Sequence, residues 1–153
     1  MVGLKLFPAV IAADYLVTEK KDKDGQLLLF ILHEDNTKQA NNLANSLRQI
    51  QKIKNIPIKV EAHTFNDFIE QKLPPLAAAF IAEPANNQID KIISQGISSS
   101  TLLFSPFKGD VEKGIHSGLI VSDRILPHVN INTLNQSGIK LKPFFLRASK
   151  QYE

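Results

Sequence analysis

Leu27-Leu28-Leu29-Phe30-Ile31-Leu32 is an unbroken apolar run of strand length, closed by His33-Glu34-Asp35. A strand that is apolar at every position, and not at alternate ones, is buried on both faces, as in a parallel sheet. Two later runs repeat the pattern. Leu76-Ala77-Ala78-Ala79-Phe80-Ile81-Ala82 ends in Glu83-Pro84, and Thr101-Leu102-Leu103-Phe104 ends in Ser105-Pro106-Phe107. Helical patterns separate them. Asn36 with Gln39 forms a box-like cap, and Ala40, Leu43, Ala44, Leu47 and Ile50 give one apolar face to a helix running to about Lys54. Ile56 to Glu61 alternates weakly and reads as a second strand, with Pro57 arguing for an edge. Thr64 opens a short helix with Phe65, Phe68 and Ile69 inward, closed by Pro74-Pro75. Ile89, Ile92 and Ile93 predict a helix over 87–95, with Gly96 as its stop.

Strands alternating with helices at this spacing predict a parallel sheet with helices on both faces. After residue 110 the pattern changes. Gly118-Leu119-Ile120-Val121 and His128-Val129-Asn130-Ile131 flank a turn at Ser122-Asp123-Arg124 and predict a hairpin. Asn132 or Thr133 then caps a short helix ended by Gly138, and Pro143 opens a last one bearing Phe144, Phe145, Leu146 and Ala148. The connections are short, so the 153 residues make one domain. The expected fold class is α/β: a single Rossmann-like domain with a mostly parallel central sheet, helices on both faces, a C-terminal β-hairpin and short helices.

Residues 4–17 carry two apolar stripes at helical spacing: Leu4, Phe7, Ile11 and Tyr15, and Leu6, Val10, Ala13 and Val17. A helix apolar on most sides is buried or covered by a partner. The first stripe is expected to pack on the core. Leu6, Val10 and Val17 of the second are expected to meet a protein partner or a second copy of the chain.

Composition narrows the function classes. With no Cys, neither a disulfide framework nor a thiolate metal site is available. The net charge of +3 is too small to argue for nucleic acid. The late basic residues Lys140, Lys142, Arg147 and Lys150 interleave with Phe144 and Phe145, but at helical spacing those aromatics read as core and not as a stacking platform. No Gly-x-Gly-x-x-Gly or Walker loop is present, so no cofactor is expected. The four histidines (33, 63, 116 and 128) show no i, i+4 pair, and no metal site is expected. Ser105 lacks the Gly-x-Ser-x-Gly elbow of a hydrolase nucleophile. The N-terminal apolar stretch is broken by Asp14 and fits a secretory leader poorly. A cytosolic protein and a mature exported domain both fit.

The glycine-bearing strand at Gly118, the turn, the strand ending in Asn130-Ile131, the short helix ending in Gly138-Ile139 and the apolar helix Phe144 to Ala148 form a distinctive order. Residues 114–149 resemble in this the C-terminal part of the YfiR-like family, and the leading helix followed by alternating strands is similar to it too. The resemblance implies a non-enzymatic regulatory or sensing domain with a Rossmann-like fold, exported to the bacterial periplasm. Its partner would be a membrane-bound signalling protein, a diguanylate cyclase or a sensor kinase.

In open parallel sheets ligands bind at the carboxyl ends of the strands. Those ends supply His33, Glu34, Asp35, Glu83, Asn86, Ser105, Phe107 and Lys108, a polar set able to hold a small ligand or a cation. The same edge leaves two rivals open: a cytosolic receiver-like domain, using Glu34-Asp35, Glu83 and Ser105, and a small-molecule enzyme using the strand-end carboxylates.

Overall fold

A computed structural model describes residues 2–74 and 76–153. Helix α1 (Val2–Ala13) leads into β1 (Leu27–His33) by way of a single 3₁₀ turn at Val17–Lys20. Then follow α2 (Thr37–Arg48), β2 (Lys52–Ile53), β3 (Ile56–Thr64), α3 (Phe65–Ile69), β4 (Ala78–Ile81), α4 (Ile89–Ser98) and β5 (Leu102–Ser105). The C-terminal third holds α5 (Asp110–Lys113), β6 (Ser117–Val121), β7 (Ile125–Asn130), α6 (Ile131–Ser137), α7 (Pro143–Arg147) and β8 (Lys150–Tyr152). The strands form one sheet in the order β2-β3-β1-β4-β5-β6-β7-β8. β1, β3, β4, β5 and β6 run parallel, while β6 and β7 form the expected antiparallel hairpin.

The three strands without polar alternation lie inside the sheet. β1 sits between β3 and β4, with Leu29 opposite both Val60 and Ala78, and all seven of its residues are buried. Alternation within each strand then feeds two separate cores. Leu27, Leu29, Ile31, Phe80 and Phe104 face α1 and α2, whereas Leu28, Phe30, Leu32, Ile81 and Leu103 face α3 and α4. Phe7 of α1 fixes the first layer, its ring 5.5 Å from Phe80 and 5.9 Å from Phe104.

The leading helix corrects one expectation. Val10 and Val17 are 1% and 2% exposed, and Leu6 is half-buried against the same core. None of the three forms a free face for a partner. The cover for the second stripe is the chain's own C-terminal segment. Ala13 accepts a backbone hydrogen bond from Lys142, Tyr15 donates one to Lys140, and Asp14 bridges Leu141. Ile139, Leu141 and Phe145 thereby join the core that holds Val10 and Val17. Tyr15, assigned to the core, is instead 47% exposed, because the helix has already ended at Ala13.

Other boundaries shift for local reasons. The helix expected to reach Lys54 ends at Arg48, and the chain turns through Gln51 at φ 63°. Lys54 and Asn55, both at positive φ, form the two-residue turn of a β2–β3 hairpin. Pro57 therefore faces Lys52, and β3 is not outermost at its start. Asn130, not Asn132 or Thr133, caps α6: its Oδ1 accepts from Thr133 N at 3.0 Å while its Nδ2 donates to the Val111 carbonyl. Gly96 does not stop α4, which continues to Ser98. A Cβ there would lie 3.3 Å from His116 Cε1 and press on Leu103, so its role is close packing. Gly118 is needed for the same reason, since a Cβ would overlap the Ser105 carbonyl oxygen on β5. Phe144, expected in the core, is 61% exposed, while Phe145 turns inward and Leu146 packs partly against the same core. Of the Pro74-Pro75 pair read as closing α3, Pro75 lies outside the described residues.

His116 is wholly buried where α4 and α6 meet the sheet. Leu103 N donates to its Nδ1 at 3.3 Å, which puts the ring proton on Nε2, 2.6 Å from Ser137 Oγ. Ser137 in turn donates to the Thr133 carbonyl at 2.8 Å. Burial, assisted by the charge of Lys20, lowers the His116 pKa from 6.5 to about 3.

Two outcomes follow from this packing. Val10→Asp should destabilise the domain by about 3 kcal/mol or more, because an unpaired carboxylate would be buried, whereas Tyr15→Asp should change stability by less than about 1 kcal/mol. Urea unfolding of both variants checks this. For His116, the unfolded chain takes up a proton below 6.5 that the folded chain refuses down to about 3. Stability should therefore fall with decreasing pH over that window, by up to about 1.4 kcal/mol per unit. Measured between pH 6.5 and 4.5, the slope for His116→Gln should be shallower than that of the parent protein; equal slopes would refute the buried neutral imidazole.

Candidate functional site

The chain leaves β1 toward β3 on one side and returns to β4 on the other, so the strand order reverses between β1 and β4. In open α/β sheets that switch point is where a crevice opens at the carboxyl edge. Here the protein fills it with its own carboxylate. Glu83, just after β4, accepts from Glu34 N at 2.7 Å and from Asn36 N at 2.9 Å. Asn36 caps α2 as expected, its Oδ1 accepting from Gln39 N and its Nδ2 donating to Gln39 Oε1. Burial pushes the Glu83 carboxyl up, but the backbone N–H groups of Asn36, Glu34 and Asp35 and the nearby His33 outweigh it. The net effect holds Glu83 below the usual carboxylate range.

The other residues of the strand-end set divide by commitment. His33 is buried at the end of β1, its Nδ1 3.4 Å from the Glu34 carbonyl. Glu34 and Asp35 point to solvent, as does Asn86, which opens a 3₁₀ turn at φ 52°. Ser105 is buried and donates its hydroxyl hydrogen to Asp110 Oδ2 at 2.6 Å, while its Oγ accepts from Phe107 N at 3.1 Å. Asp110 carries one signal in the sequence, its place five residues after Ser105; it opens α5 directly after Gly109, where the chain reverses (φ 91°).

Phe107 and Lys108 belong to a different feature. They line a hollow of about 330 Å³ between the β5–α5 loop and the β6–β7 hairpin. Val111, Leu119 and Val121 contribute apolar surface, and Glu112 and His128 contribute polar groups. His128 Nδ1 lies 3.8 Å from Glu112 Oε1. Burial lowers its pKa, the Glu112 charge opposes this, and Lys150 adds to the lowering. His128 was not among the expected ligand residues, since its position in the hollow depends on the hairpin register that sets it opposite Gly118. A smaller dip of about 120 Å³ at the same edge is lined by Glu34, Thr64, Phe65, Asn66 and Gln88. Among the described residues no group of three or more His, Asp or Glu stands together as a metal centre, and no helix is long and apolar enough to cross a membrane.

No family model and no curated protein matches the chain. Solved structures do. An ABC domain from Streptococcus pneumoniae in complex with L-Trp superposes with a TM-score of 0.64 at 11% identity, covering 98% of this chain and 59% of that one. A conserved domain protein from Vibrio cholerae gives 0.65 at 14% identity, over 88% of this chain and 57% of that one. The ligand-free, open structure of CD0873, a substrate binding protein with adhesive properties from Clostridium difficile, gives 0.64 at 10% identity, over 99% and 58%. The chain thus spans somewhat under three fifths of the length of each, and the likeness is one of fold.

The Glu83 contact has a measurable consequence. Glu83→Ala should destabilise the domain by about 1–3 kcal/mol at neutral pH, because two backbone donors lose a charged acceptor. The folded-state pKa is depressed, so the contribution is complete above the ordinary value of 4.5 and is lost as pH falls through the folded value. The gap in urea midpoint between parent and variant should therefore close on acidification.

Proposed function

We propose that this chain is a ligand-binding regulatory domain of the YfiR-like type, acting by binding and not by chemistry. On this reading it works in the bacterial periplasm, and its output is the altered affinity of the domain for a membrane-bound signalling protein, a diguanylate cyclase or a sensor kinase. The observation that carries the reading is the state of the strand-end polar groups. Glu83 and Ser105, the groups best placed to act as base or nucleophile, already hold Glu34 N, Asn36 N and Asp110 within the protein. A carboxylate held low by backbone N–H donors is a weak base, and the buried Ser105 offers no hydroxyl to solvent, which argues for a scaffold. The likeness in fold to an L-Trp complex and to a substrate binding protein supports the same class of function.

The ligand is assigned to the hollow beside Phe107 and Lys108. Its mostly apolar wall suits a flat or branched body, and the exposed Lys108 ammonium suits an acidic group. A ligand there would touch both the β5–α5 loop and the hairpin, and could favour one arrangement of the two.

The chain contains no Trp, so the emission of added L-tryptophan reports its own burial. With excitation beyond tyrosine absorption, a saturable blue shift is expected, and Lys108→Glu should weaken it at least tenfold, about 1.4 kcal/mol. No saturable shift with tryptophan, nor any displaceable signal across a panel of small carboxylates, would refute the assignment. Exposure to acetyl phosphate should leave Asp35 and Glu83 unmodified; a stable acyl phosphate on either would establish receiver chemistry instead.

A further inference from the structure

A cleft lies at the opposite edge of the sheet, where the parallel strands begin. Its volume is about 710 Å³, within the range of small-molecule sites. Leu28, at the start of β1, and Leu76, before β4, give it an apolar floor, and the loop 19–24 forms its charged rim.

Most of the polar groups around it are already engaged. Lys20 is held by the buried Asp14 carboxylate at 2.6 Å. Asp22 Oδ1 accepts from Asp24 N and Gln26 N, each at 2.9 Å. Glu61 holds Lys59 at 3.5 Å and His63 at 2.9 Å. The hydroxyls of Ser99 and Ser100 donate to the carbonyls of Gln95 and Ser137. What remains is Glu19, Lys21, Lys23 and Asp24, whose side chains make no hydrogen bond or ion pair among the described residues. Two uncommitted cations and two uncommitted anions therefore stand on one short loop above an apolar floor.

From this juxtaposition we infer that the cleft binds a small zwitterion with an apolar body, of the size of a di- or tripeptide with free termini. The floor takes the side chains. Lys21 and Lys23 take the carboxylate, and Glu19 and Asp24 take the ammonium group. A simple anion or cation would meet a repelling pair as well as an attracting one, whereas a ligand carrying both charges satisfies both pairs. The site is independent of the hollow at the carboxyl edge and stands or falls without it.

The test uses trileucine and its two blocked forms, the N-acetyl peptide and the C-terminal amide, titrated into ¹⁵N-labelled protein. Trileucine should shift the amides of residues 19–24, Leu28 and Leu76 saturably, and by more than those of residues 107–112. Each blocked peptide should bind at least tenfold more weakly. The double variant Lys21→Gln/Lys23→Gln should abolish the advantage of the free carboxylate, and Glu19→Gln/Asp24→Asn that of the free amine. All four side chains are exposed, so both variants should unfold at the parent temperature, which separates lost binding from lost folding. Equal affinity for blocked and free peptides, shifts confined to the carboxyl-edge hollow, or no saturable shift would each overturn the inference.

Discussion

β1 has no polar side that water can reach, and the architecture answers that constraint. Its backbone donors and acceptors must be paired on both edges, which β3 and β4 do. Its side chains must be covered on both faces. Leu27, Leu29 and Ile31 require one helical layer, and Leu28, Phe30 and Leu32 require another. A parallel arrangement meets both demands, because each crossover returns through a helix laid on the sheet. The order reversal beside β1 is a consequence of the same packing, and with it the crevice that Glu83 closes.

This constraint explains what was legible in the sequence. The apolar runs at residues 27–32, 76–82 and 101–104 named the interior strands, and the break in pattern after residue 110 named the hairpin. What could not be read depends on contacts distant in sequence or on very short pairing. β2 has two residues, and its signal was a pair of positive-φ positions at Lys54 and Asn55, which is not the usual glycine-bearing turn. β8 is a three-residue exposed strand held by its pairing with β7 and by a Gln151 side-chain bond to the Leu146 carbonyl. The two stripes of α1 were legible as apolar but not as covered, since the cover comes from residues some 130 positions later.

The strand-end set shows the same limit at the level of a site. Its residues do gather at one edge, as topology requires. Whether a polar residue there is free or engaged depends on distances that no spacing encodes. Glu83 and Glu34 differ in this way: one is an acceptor for two backbone amides, and the other faces water. His128 enters the hollow only through the pairing of β7 with β6.

Helix α1 connects the two edges physically. At its start, a Cβ on Gly3 would lie 3.1 Å from Pro106 Cβ and 3.4 Å from Leu119, both of which line the carboxyl-edge hollow. Beyond its end, Asp14 holds Lys20 on the loop that rims the opposite cleft. Twelve helical residues span about 18 Å between these points. Because Phe7, Val10, Ile11 and Ala13 are buried and Ala13 to Tyr15 are stitched to residues 140–142, the helix cannot tilt alone. A movement of the loop at Lys20 either breaks the pair with Asp14, leaving a buried carboxylate without its partner, or carries the helix and the C-terminal segment with it. The first course is strongly unfavourable in a buried setting. The two edges are therefore mechanically joined through the one element that residues 4–17 marked as apolar on most sides.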